Sequence, residues 1–138
     1  NVSSDFTKLR KESMALLQKE SELQEIVQLV GPDALPEKEQ GILLVTKMLR
    51  EDYLQQNAYS DVDAHASLKK QYLMLKLIAR FHERLQGLLD AGIQLKKIKD
   101  MSSINKIARM KEIPNDRLKD FEKLMEHIDS EFDSVSKN

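Results

Sequence analysis

Residues 16–59 read LLQKESELQEIVQLVGPDALPEKEQGILLVTKMLREDYLQQNAY, the longest stretch of helical periodicity broken by a single marked turn. Two apolar-periodic stretches meet at Gly31-Pro32-Asp33-Ala34-Leu35-Pro36. Before this turn, Leu9, Leu16, Leu23 and Val30 recur every seven residues, and Ile26 and Val27 widen the stripe. After it, Ile42, Val45, Met48, Leu49 and Tyr53 recur at helical spacing. Gly31 can take the positive φ that ends a helix, and Pro32 cannot continue one. Pro36 followed by Glu37 suits a first helical turn, where a missing N–H is harmless and acid is favoured by the dipole. The spacing predicts a helical hairpin with a stiff, acidic, exposed tip. Two ordinary core helices would give the same pattern.

Composition bounds the rest. The 138 residues suit one domain that buries roughly two thirds of its unfolded surface. Lys and Arg number 22 against 23 Asp and Glu, a net charge of −1, so no global field draws the chain to nucleic acid or to a membrane surface. Charged residues at 33% and apolar ones at 41%, with four Gly and three Pro, fit a helical domain. The absence of cysteine excludes disulfides and thiolate metal sites and fits an intracellular protein. No apolar run approaches the roughly 20 residues that span a bilayer, so direct membrane insertion is not expected.

In chain order, Ser3, Ser4 or Asp5 can cap a first helix running to about Val30. Ser13 and Glu20 interrupt one side of its stripe, which reads as solvated. A second helix is expected from about 36 to 56, with four consecutive apolar residues at 42–45 that imply contact on more than one side. Periodicity then breaks over 57–66. Asp61, Asp63 and His65 there invite a metal reading, but nothing completes a shell, and acids before a helix serve equally as caps or solvated groups. No metal site is expected. Ser67 can cap a third helix over 68–90, whose stripe of Leu68, Tyr72, Leu75, Ile78, Ala79, Leu85 and Leu89 is widened by Leu73, Met74, Leu77 and Phe81. That helix should be central, with His82 at its boundary. A short helix follows over 95–100, and Ser102 or Ser103 can cap another over 104–111. Lys96, Lys97, Lys99, Lys106, Lys111 and Arg109 form a basic cluster without an aromatic residue, which reads as a solvated face and not a nucleic-acid site. Asn115 can cap a last helix carrying Leu118, Phe121, Leu124, Met125, Ile128 and Phe132. The fold class is therefore all-α: a bundle of about five to six helices built round a long helical hairpin.

The chain has no G-x-x-x-x-G-K-[ST] and no Gly-rich loop, so it lacks the amides and lysine that cradle phosphates. Glu51 and Asp52 read as the polar face of their helix. No catalytic residue is expected, and the chain alone should neither hold a cofactor nor turn over ATP.

The ordered run LQEIVQLVGPDALPE, continued by REDYLQQNAYSDVDAHASLKKQYLMLKLI, closely resembles the C-terminal helical domain of the catalytic A subunit of archaeal (A-type) and vacuolar rotary ATPases. The resemblance extends from about Leu9 to IARMKEIP at 107–114. It implies that residues 1–138 are one C-terminal helical domain of a larger subunit whose P-loop domain is absent, and a chain opening on Asn1 is expected to be such a fragment. It implies a parent that hydrolyses or makes ATP with magnesium while protons or sodium ions cross a membrane. It implies as partners the non-catalytic B subunit of a hexameric head and the central-stalk rotor subunit, in a cytoplasmic complex peripheral to the membrane. It assigns Pro32, Asp33, Ala34, Leu35, Pro36, Glu37 and Lys38 to rotor contact. It assigns Gln56, Asn57, Ala58 and Tyr59 to the border of the adenine pocket, Tyr59 matching an aromatic residue beside the ring. The β subunit of the bacterial and mitochondrial enzyme is less similar: where its acidic loop has an acid and a serine, this chain has Ala34 and Pro36. A free-standing helical interaction module unconnected with ATP is the alternative, and it leaves the long ordered match unexplained.

Overall fold

The computed structural model describes residues 2–55 and 67–137. Among the described residues there are six α-helices and no strand. Helix α1, Val2–Val30, is 29 residues and so about 44 Å long. A single 3-10 turn, Pro32–Ala34, leads into α2, Glu37–Met48. Gly31 makes the corner at φ 90, a value that residues with a Cβ rarely adopt, and its N–H closes on the Val27 carbonyl at 2.8 Å. The hairpin is formed as the spacing predicts.

Two departures appear in its second arm. The sequence predicts one helix over 36–56, but α geometry stops at Met48 and Leu49–Leu54 winds as a π-helical turn. The Gln55 N–H reaches back five residues to the Arg50 carbonyl at 3.0 Å. The wider turn keeps Leu49 and Tyr53 buried while Arg50 lies against α1. The second departure is Glu20, read as solvated. It is 9% exposed, because Thr46 and Arg50 of the second arm bond its carboxylate.

Helix α3, Leu68–Asp90, occupies the centre, as its wide stripe predicts. The Ser67 hydroxyl caps it by accepting the Lys70 N–H at 3.0 Å. Nine of its side chains are buried, among them Met74, Leu77, Phe81 and Leu85. Leu68, counted in the stripe, heads the helix and is exposed. The hairpin covers one side of α3. Gly41 of α2 permits the close approach: a Cβ there would stand 3.2 Å from Leu85 Cδ2 and 3.3 Å from Leu89 Cδ1. Short helices α4, Leu95–Lys99, and α5, Ser103–Ala108, pack against the last helix. Helix α6, Asp120–Ser136, covers the other side of α3 with Phe121, Ile128 and Phe132. Phe81 and Phe132 meet edge to face at 5.2 Å between centroids.

Asn115 does not cap α6. Its side-chain oxygen accepts the Ser67 N–H at 3.2 Å, so it ties the start of α3 to the segment before α6. No helix among the described residues is long and apolar enough to cross a membrane.

The core assignment has a direct check. Phe81→Ala empties a position with no exposure and should cost about 3–5 kcal/mol, whereas Leu29→Ala on the surface should change stability by less than about 0.5 kcal/mol. Guanidinium unfolding of the two variants measures the gap, and equal losses would contradict this packing.

Candidate functional site

The hairpin end divides into a held half and a free half. On the α2 side, Leu35 is buried at 4% exposure, and its carbonyl accepts the Gln40 side-chain amide at 2.7 Å. Leu35 therefore anchors the turn from within. Lys38 Nζ pairs with Asp90 at the end of α3 at 2.8 Å, and the Gln86 amide donates to the Lys38 carbonyl at 3.2 Å. Glu37 Oε1 accepts the Leu95 N–H at 3.4 Å. These bonds fasten the first turn of α2 to the far end of α3 and the start of α4.

The free half is Pro32, Asp33 and Ala34 together with the last turn of α1. There Leu29 is 84% and Val30 66% exposed, beside the partly exposed Ile26. The seven-residue stripe thus stays in contact with the core through Leu23 and leaves it at Val30. Sequence reasoning places Val30 inward because periodicity alone does not say where the bundle ends. The tip is accordingly apolar as well as acidic: Leu29 and Val30 are exposed within four residues of the exposed Asp33.

Gln56, Asn57, Ala58 and Tyr59, and likewise Asp61, Asp63 and His65, lie outside the described residues. What leads to them is the π-turn. On it Asp52, read as simple polar surface, is half-buried, and burial raises its carboxyl to about 6; Lys111 opposes the rise and Glu51 adds to it. Beside it, burial also raises the Tyr53 phenol against the opposing charge of Arg10. His82 lies at the boundary of α3, and burial lowers its pKa. The basic cluster is a largely exposed face, as expected, except that Lys111 is half-buried.

One constellation was missed. Ser102 and Ser103 each donate an N–H and a hydroxyl to Glu131 of α6, at 2.6–2.9 Å. His127 Nε2 lies 2.9 Å from Ser102 Oγ and 3.8 Å from Glu131 Oε1. The same ring nitrogen faces both groups, so the carboxylate does not orient the histidine from its far side, as nucleophilic catalysis requires. Glu131 instead caps α5 from another helix. Burial would raise its carboxyl, but the four serine donors outweigh that and hold it down at about 2. Twenty-eight positions separate Ser103 from Glu131, so no local motif announces the pair.

A family model described as the C-terminal domain of V and A type ATP synthase matches residues 1–99. The chain belongs to this family. The A subunit of the A-type ATP synthase of Methanopyrus kandleri is 48% identical over 135 residues, 97% of this chain and 23% of that protein. The V-type ATP synthase alpha chain of Clostridium botulinum strain Langeland is 52% identical over 136 residues, 99% of this chain and 22% of that protein. The A subunit of the A-type enzyme of Thermococcus sibiricus is 47% identical over 137 residues, again 99% of this chain and 23% of that protein. The chain thus spans less than a quarter of the curated relatives it matches. Within this ATP synthase domain, the hairpin, α3 and α4 fall in the matched region and α5 and α6 beyond it.

The two shifted carboxyls make opposite pH predictions. Glu131 is depressed in the folded state, so its contribution is complete above about pH 4.5 and is lost as pH falls toward 2. Glu131→Gln should cost about 1.5–3 kcal/mol at neutral pH, and the deficit should close in acid. Asp52 is raised, so its carboxylate form penalises folding in full above about 6 and not at all below 3.8. Asp52→Asn should stabilise at pH 7.5 and be neutral near pH 3.5. Urea unfolding at stepped pH tests both, and parallel profiles for the variants and the parent chain would contradict the assignments.

Proposed function

We propose that this chain is the lever domain of the ATP-hydrolysing and ATP-synthesising subunit of a rotary, proton- or sodium-translocating ATPase. The observation that carries the proposal is the hairpin end: a free apolar and acidic tip on a turn whose other half is fastened to the body of the bundle. In this reading the nucleotide-binding part of the parent, which supplies the P-loop and binds ATP with magnesium, moves the bundle. The bundle in turn presses Pro32, Asp33, Ala34 and the neighbouring Leu29 and Val30 on the central-stalk rotor. Pro36, Glu37 and Lys38 complete the contact, and the bonds of Glu37 to Leu95 and of Lys38 to Asp90 hold the α2 side of the turn. The non-catalytic B subunit of the head flanks the domain, and the whole complex sits at the cytoplasmic side of a membrane. The relatives named as ATP synthase subunits support this reading by their similarity over nearly the whole chain.

A stiff tip transmits force, whereas a flexible one absorbs it. Replacing residues 32–36 by a Gly-rich linker in the assembled complex should therefore lower torque more than substituting Asp33, Glu37 and Glu39 by Ala. Single-molecule rotation under load measures both; undiminished torque from the linker variant would refute the lever.

The adenine border is the second part of the proposal. Gln56, Asn57, Ala58 and Tyr59 follow the π-turn directly, and an aromatic face suits adenine because stacking buries a flat apolar surface, about 1–3 kcal/mol per base at nucleic-acid sites. Tyr59→Ala in the intact subunit should weaken ATP binding about tenfold, and Tyr59→Phe should leave it nearly unchanged. Unaltered nucleotide affinity in Tyr59→Ala, read by equilibrium titration, would make the residue structural.

A further inference from the structure

We propose that Glu20, Thr46 and Arg50 form a clasp that makes the hairpin tip and the end of α2 move as one body, a positioning role that rests on the lever reading above. Glu20 stands in the middle of α1, ten residues and thus about 15 Å before Val30. Its carboxylate accepts the Thr46 hydroxyl at 2.9 Å and a fork from Arg50, with Nε at 3.0 and 3.1 Å and Nη2 at 2.9 Å. Thr46 is fully buried, and Arg50 stands on the π-turn. The Arg50 carbonyl also accepts the Gln55 N–H. One residue therefore grips α1 with its side chain and, with its backbone, the stretch of chain leading to residue 56.

Apolar packing is non-directional and by itself tolerates sliding of one helix along another. A forked, charge-assisted set of bonds fixes a single register. Opening it would leave a buried carboxylate without partners, which is strongly disfavoured, so the two arms are held together or are costly to part. Among the described residues no other ion pair joins α1 to a different helix. Lys8–Glu12 and Lys19–Glu22 both lie within α1 on its surface.

The test uses the assembled complex carrying Glu20→Gln, which keeps the shape of the side chain and removes its charge. ATP turnover of the head without its rotor should be unchanged, while torque, or ions moved per ATP, should fall about twofold or more. Arg50→Lys keeps the charge without the fork and should fall between Glu20→Gln and the parent. Thr46→Val, which keeps the shape and loses the hydroxyl, decides the matter if Glu20→Gln fails to assemble; it too should lower torque at unchanged turnover. Turnover and torque falling in equal proportion would reduce the cluster to a stability element and overturn the proposal. Undiminished torque in these variants, with torque lost in the 32–36 linker variant, would overturn the clasp and leave the lever standing. Undiminished torque in all of them would overturn both.

Discussion

Helix α3 must be covered on nearly every side, and the other elements follow from that constraint. Each large apolar side chain it buries is worth about 1.5–3 kcal/mol, and no single amphipathic helix can cover Met74, Leu77, Ile78, Phe81 and Leu85 together. The hairpin is the first cover and α6 the second. Gly41 brings α2 close to Leu85 and Leu89, and Phe132 packs edge to face on Phe81, one turn before Leu85. Even Lys70 is taken inside, 1% exposed. That is tolerable because its stem is apolar and its ammonium donates to the Lys111 carbonyl at 2.8 Å.

Polar groups then fix which of several apolar packings is adopted. Among the described residues no buried side-chain nitrogen or oxygen lacks a partner. Arg80 and Arg84 of α3 bond Asp129, and Arg84 also bonds Asp133, so the second half of α6 is held in register on α3. Arg84 lies over the Phe132 ring at 5.5 Å, so one guanidinium serves both the ion pair and the aromatic contact. Glu131 secures α5 in the same way from the other flank of α6.

The local half of this architecture was legible in the residues. Gly31 and Pro32 mark the corner, Ser67 the start of α3, and helical periodicity the buried faces of α3 and α6; all of these are set within one or two turns of chain. Glu20, Glu131 and the π-turn were not legible, and the two carboxylates share one reason. A carboxylate interrupting an apolar stripe looks solvated unless the residue facing it is known, and Arg50 lies 30 positions away. The π-turn carries no Gly or Pro to mark it. Of the candidate site, the turn was found from sequence, but its division into anchored and free halves depends on Asp90, Gln86 and Leu95, which no local reading connects to it.

That division bears on whether charge or shape dominates at the tip. Lys38 is engaged by Asp90 and Glu37 reaches the Leu95 amide, which leaves Asp33 as the acid on the free half. An exposed pairing of Asp33 with a basic partner would contribute up to about 1 kcal/mol and would be screened beyond roughly 8 Å at physiological salt. Covering Leu29 and Val30 would contribute about 1.5–3 kcal/mol for each side chain fully buried. Any partner seated on this end therefore gains more from matching its contour than from opposing its charge. The proline-bounded turn then matters because it ends α1 at Val30 and leaves Leu29 and Val30 uncovered on that end.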